Sequence, residues 1–161
     1  MPSNLPSPER AKLDFADSVR SRFAFLEQNC GFKLESQDIT FVRYESALVF
    51  VNAYHGRSSY ELGLQVGPRF QGLDIEQEEH FSIWEIVRAS GDMEVPNGLP
   101  AAQTREDIVS GLDTIADLLK RYGTKALAGD KEVFEQLRNQ QVKETEEYLE
   151  NAYREARKKK E

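Results

Sequence analysis

A single cysteine, Cys30, and only two histidines, His55 and His80, leave this chain short of the side chains from which most metal and nucleophilic sites are built. One cysteine cannot form an intramolecular disulfide, which fits a reducing compartment. A nucleophilic Cys30 would need a base beside it, and neither histidine is near it in the chain, so the expectation is a small side chain close to a helix end. The histidines lack the short ligand spacings of a zinc site, so no metal ligand is predicted even though Glu78 and Glu79 adjoin His80. G-x-S-x-G, G-x-G-x-x-G and Walker sequences are all missing, and Gly63-Leu64-Gln65-Val66-Gly67 reads as a strand end rather than a phosphate loop. No apolar run approaches a membrane span. Met1 to Pro8 has neither the basic nor the apolar region of a signal peptide. The expectation is a cytoplasmic protein with no catalytic residue, no metal and no cofactor.

Positive charge is also scarce. Against 28 Asp and Glu there are 21 Lys and Arg, a formal charge of −7 over 161 residues. Phosphate affinity depends on clustered cations, so nucleic acid is not an expected partner. An acidic surface suits a basic protein, and it also keeps a chain soluble. The length is that of one domain and needs no disulfide or metal staple.

Residues 1–7, with Pro2, Pro6, Ser3 and Ser7, read as a flexible N-terminus. Ser7 as N-cap and Pro8 at the first helical position start a helix. Leu13, Ala16, Val19, Phe23 and Leu26 form its stripe, and Gly31 stops it. Three strands follow: Ile39 to Tyr44, Ala47 to Tyr54, and Ser59 to Val66, with turns at Glu45-Ser46 and His55–Ser58. The middle one is apolar on both faces, Leu48, Phe50 and Tyr54 against Val49, Val51 and Ala53, which places it centrally in a meander. The third alternates strictly, so one of its faces is wet. Ser82 and Glu85 have capping-box spacing, with Phe81 and Ile86 spaced as a hydrophobic staple, so Ile83 to Ala89 is predicted as a short helix in preference to a fourth strand.

Thr104 caps a helix with the stripe Ile108, Leu112, Ile115, Leu119 and Tyr122, ended by Gly123. After one further turn over Thr124 to Ala128, Asp130 caps a last helix running to about Lys159, roughly 43 Å long at 1.5 Å per residue. That exceeds the roughly 40 Å width of a domain this size, so its far part must overhang, fold back or fray. The division is 8–138 as a single α+β domain, 139–161 as a charged helical extension, and 1–7 as the N-terminal segment. In the extension Val142, Leu149, Ala152 and Ala156 make a thin apolar stripe with Tyr148 and Tyr153 at its margin. Glu144, Glu146, Glu147 and Glu150 precede Arg154, Arg157 and Lys158 to Lys160. A solvated helix and a self-association helix both fit.

Several residues are candidate sites. Asp74, Glu76, Glu78 and Glu79, with Asp92 and Glu94, place carboxylates in two loops flanking the short helix and could form a docking patch for a cationic protein. Arg43 and Glu61, on neighbouring strands, could pair across the sheet or belong to a binding face. Tyr60, His80 and Trp84 are pocket candidates, for a cavity between the sheet and the 81–89 helix near Arg43. Trp84 also fits the core.

Gly31-Phe32, Phe41-Val42-Arg43-Tyr44-Glu45-Ser46, Ser59-Tyr60-Glu61-Leu62, Phe81-Ser82-Ile83-Trp84-Glu85, Leu119-Lys120-Arg121-Tyr122-Gly123, Ala126-Leu127-Ala128-Gly129-Asp130 and Phe134 occur in that order. In this pattern, over about residues 15–138, the chain resembles a family of small uncharacterised bacterial α+β proteins. In general form it is similar to immunity proteins that neutralise bacterial toxins. The expected function is therefore a non-enzymatic binding protein of the immunity or inhibitor type, docking a basic partner. Two alternatives stand beside it: a small-molecule binder or enzyme using the 81–89 pocket, and an oligomeric component joined through the C-terminal helix.

Overall fold

Caps and apolar stripes decide where the elements fall. A computed structural model describes residues 8–69, 78–91 and 98–160. Helices α1 (Pro8–Ala11), α2 (Phe15–Arg22) and α3 (Ala24–Asn29) precede a sheet of β1 (Lys33–Asp38), β2 (Phe41–Glu45), β3 (Val49–His55), β4 (Leu62–Pro68) and β5 (Phe81–Ser82). Helices α4 (Ile83–Ala89), α5 (Arg105–Tyr122), α6 (Thr124–Leu127) and α7 (Lys131–Lys158) complete the chain. The fold is α+β, with one antiparallel sheet in the order β1-β2-β3-β4-β5.

The three-stranded meander is present and β3 is central, but the sheet has two more strands. β1 is Lys-Leu-Glu-Ser-Gln-Asp, almost wholly exposed, with a register shift between Leu34 and Ser36. It is a charged, bulged edge strand of the kind that resists edge-to-edge pairing. β5 is two residues long, and Phe81 both pairs with Val66 on β4 and stacks on Phe134 of α7. The N-terminal helix is three pieces rather than one. Asp14 adopts a left-handed φ of 51° between α1 and α2, and Phe23 leaves helical geometry between α2 and α3. The stripe survives because Phe15, Val19, Phe23 and Leu26 all reach the core. Gly31 at φ 76° turns the chain into β1, a conformation that favours glycine.

The capping predictions have direct counterparts. Ser82 Oγ accepts from Glu85 N while the Glu85 carboxylate accepts from Ser82 N, so the run is a helix. Thr104 and Asp107 form the same reciprocal pair at the start of α5. Asp130 accepts from Glu132 N and Val133 N at the start of α7. The inner face of the sheet carries Val42, Tyr44, Val49, Val51, Ala53, Leu62, Leu64, Val66 and Phe81, packed on Val19, Phe23, Ile83, Ile108, Leu112, Ile115 and Leu119. Each such side chain contributes about 1.5–3 kcal/mol when fully buried.

One core group lacks a partner. The Tyr44 hydroxyl is buried and makes no hydrogen bond. Burial pushes its pKa up to about 12, helped by the Glu27 charge and opposed by Arg20. An unsatisfied buried hydroxyl destabilises, so Tyr44→Phe should raise the unfolding free energy by about 1 kcal/mol in urea titration. An unchanged or lowered midpoint would contradict this.

Candidate binding face of the sheet

The outer face of the sheet consists of three cross-strand rows, fixed by register. Lys33, Glu45, Phe50 and Gly67 form the first; Ser36, Arg43, Asn52, Gln65 and Ser82 the second; Asp38, Phe41, Tyr54 and Gly63 the third.

On β2 and β3 the first two rows are closed over, whereas Lys33 and Ser36 at the β1 edge are exposed. Arg43, whose side chain is 4% exposed, donates from Nη2 to both oxygens of Glu78 at 2.9 Å; the Glu78 side chain is 7% exposed. Its Nε donates to Glu45 at 3.0 Å and its Nη1 to Asn52 Oδ1 at 3.3 Å. The guanidinium lies 4.3 Å from the centre of the Phe50 ring. Gly67 is where the backbone of Glu79 crosses the sheet: a Cβ there would collide with the Glu79 carbonyl and the Phe50 ring. All three guanidinium nitrogens of Arg43 thus donate within the chain.

These contacts correct two expectations. Arg43 pairs with Glu78, 35 residues on, and not with Glu61, which lies before β4 and outside that row. Glu78 is buried in that pair, and Glu79 receives Arg138 Nε at 2.7 and 2.9 Å. Both carboxylates bind their own chain instead of forming a free docking patch. Asp74, Glu76, Asp92 and Glu94 lie outside the described residues.

The third row is open. Phe41 and Tyr54 are half-buried neighbours, and the Tyr54 ring lies flat over Gly63, where any Cβ would strike it. Burial raises the Tyr54 pKa, and the nearby Glu61 charge raises it further. Asp38, at the β1 end of the row, and Glu61, two residues before Gly63 and near enough for its charge to act on Tyr54, are both exposed. One Asp38 oxygen accepts from Thr40. Neither carboxylate has an ion-pair partner among the described residues. An aromatic pair between two such acids is a surface suited to a cationic side chain, which gains from both the ring faces and the charges.

The pocket residues are not brought together. Tyr60 sits on the inner-face side, 5.7 Å from His55 ring to ring, with the Arg10 guanidinium 4.1 Å above it. His80 is exposed, its Nδ1 near the Glu78 carbonyl. Trp84 is in the core. Among the described residues no group of three His, Cys, Asp or Glu side chains could hold a metal, and no described helix is long and apolar enough to cross a membrane.

Sequence reasoning overlooked the cluster around His55. Arg10 can only donate, so its Nη1 contact at 3.0 Å makes His55 Nδ1 the acceptor and leaves the proton on Nε2, which donates to Ala102 O at 2.8 Å. Arg10 also reaches the carbonyls of Gly56 and Arg57. The cluster ties α1 and the segment before α5 to one end of the sheet. Burial lowers the His55 pKa, and the Arg10 charge lowers it further, against the raising effect of the Ala102 and Tyr60 backbone bonds. The unfolded chain therefore binds this proton more readily than the folded one. Stability from His55 should be full above about pH 6.5 and be lost as pH falls from there to the lower folded pKa. Denaturation midpoints from pH 7.5 to 5 should fall in the wild type, and His55→Gln should flatten that slope; equal slopes would contradict the assignment.

Comparison with protein-family models, curated proteins and solved structures gives no significant match. The reading of function therefore rests on the surface itself.

Proposed function

We propose that this chain is a non-enzymatic binding protein of the immunity or inhibitor type, which docks a basic partner on the open row of the sheet. The observation that carries this reading is the half-exposed pair Phe41 and Tyr54 set between Asp38 and Glu61. The ionisable groups of the neighbouring row, Arg43 and Glu78, are paired to each other and hold the sheet surface rigid beside it. A docking cation would stack on Tyr54 and meet Glu61, and the overall charge of −7 would speed the encounter.

The test is affinity capture at low salt, with the wild type and a Tyr54→Ala/Glu61→Lys variant as paired baits. The products of neighbouring genes are the first prey, and each captured protein is then titrated against rising salt. The expected result is a basic protein held by the wild type, released by salt and lost by the variant. Capture of nothing, or equal capture by both baits, would overturn the proposal.

A further inference from the structure

Four of the five exposed large hydrophobic side chains among the described residues lie on α7: Val142 at 58%, just before its midpoint, and Tyr148 at 72%, Leu149 at 49% and Tyr153 at 69% beyond it. The first half of that helix is held by the body. Phe134 and Leu137 are buried, Arg138 pairs with Glu79, Gln140 and Gln141 bond the Glu85 and His80 carbonyls, and Glu144 pairs with Arg88. Beyond Glu144 every residue through Lys160 is exposed. The projecting part, residues 145–158, is about 21 Å long. A helix of that length is marginal in water without a packing partner.

Its apolar positions are spaced for such a partner. Thr145, Leu149, Ala152 and Ala156 recur at intervals of four, three and four, the a and d positions of a heptad, in line with Val142 one step before the arm. The charges choose the orientation. Glu146, Glu147 and Glu150 occupy the first part of the arm, and Arg154, Arg157 and Lys158 the second, with Glu155 the exception. None of these six has an ion-pair partner among the described residues. Two copies aligned in parallel would set acid on acid and base on base. Two copies aligned antiparallel, centred near Ala152, set Glu146, Glu147 and Glu150 of one level with Lys158, Arg157 and Arg154 of the other.

We infer that the projecting half of α7 is a self-association arm, which joins two copies of this chain as an antiparallel helix pair with a seam of Leu149, Ala152 and Ala156. The inference is independent of the sheet-face reading, because the arm and the open row share no residue. The seam is short and its charges exposed, so the dimer dissociates on dilution and weakens with salt.

Sedimentation of the full chain across about 1–200 μM should show a monomer–dimer equilibrium. Leu149→Lys, at an exposed position, should raise the dissociation constant at least tenfold without lowering the thermal midpoint of the dilute protein. Orientation is read by spin labels at Lys159→Cys in a Cys30→Ser background: the antiparallel pair separates the labels by about 21 Å along the axis, whereas a parallel pair sets them side by side. A monomer throughout the range, a dimer untouched by Leu149→Lys, or adjacent labels would each overturn the inference. Tyr54→Ala/Glu61→Lys should leave the dimer intact, so failure of partner capture and failure of self-association are separate results.

Discussion

Arg43→Ala should be among the most damaging single substitutions in this protein, lowering the unfolding free energy by about 3–5 kcal/mol in urea titration. The Coulomb attraction between Arg43 and Glu78 is not the whole reason. Both groups have given up water, at 4% and 7% exposure, and each depends on the other for the hydrogen bonds that replace it. Removing the guanidinium leaves the Glu78 carboxylate buried without a counter-charge, and Asn52 and Glu45 each lose a donor. The double substitution Arg43→Met/Glu78→Leu removes both charges and keeps similar volume. It should therefore recover most of the loss, to within about 1–2 kcal/mol of the wild type, because a buried pair itself contributes little net stability. A single variant that costs under 1 kcal/mol would mean that water reaches the pair. A double variant as damaged as the single would mean that the loss does not come from the stranded carboxylate.

Gly67→Ala should come next, at about 2–3 kcal/mol. The added methyl meets the Glu79 carbonyl and the edge of Phe50, and a backbone carbonyl cannot rotate out of the way as a flexible side chain would. The segment over the sheet must lift, carrying Glu78 away from Arg43. The two substitutions thus damage the same arrangement, so the combined Gly67→Ala/Arg43→Ala variant should lose clearly less than the sum of the singles. Strict additivity in urea titration would show that Gly67 and the ion pair are independent.

The helical part of the fold was legible because local chemistry governs it. Ser82–Glu85, Thr104 and Asp130 mark helix starts through bonds made within four residues, and the α5 stripe needs no distant information. The central place of β3 was legible for a similar reason, since Phe50 and Val51 are both buried on opposite faces. β1 was not, because an exposed edge strand has no apolar alternation to announce it. The breaks at Asp14 and Phe23 were hidden by a stripe that continues across them, with no glycine or proline to mark the interruption. The Arg43–Glu78 pair joins residues 35 apart, and Arg10–His55 joins residues 45 apart; nothing in either neighbourhood names the partner. Glu61 stood out in the sequence, but its nearness to Tyr54 depends on register, since Tyr54 pairs with Gly63 two residues on.

Glu85 does two jobs with one carboxylate: it caps α4 and accepts Gln141 of α7 at 3.2 Å from each oxygen. The direction of the free arm is therefore inherited from a short helix lying on the sheet. From Gln141 to Lys158 the lever is about 26 Å, so a tilt of about 10° at that joint sweeps the tip through about 4.5 Å. Small readjustments of α4 are magnified at the far end, and the distance between two such tips would register strain in a globular body neither of them touches.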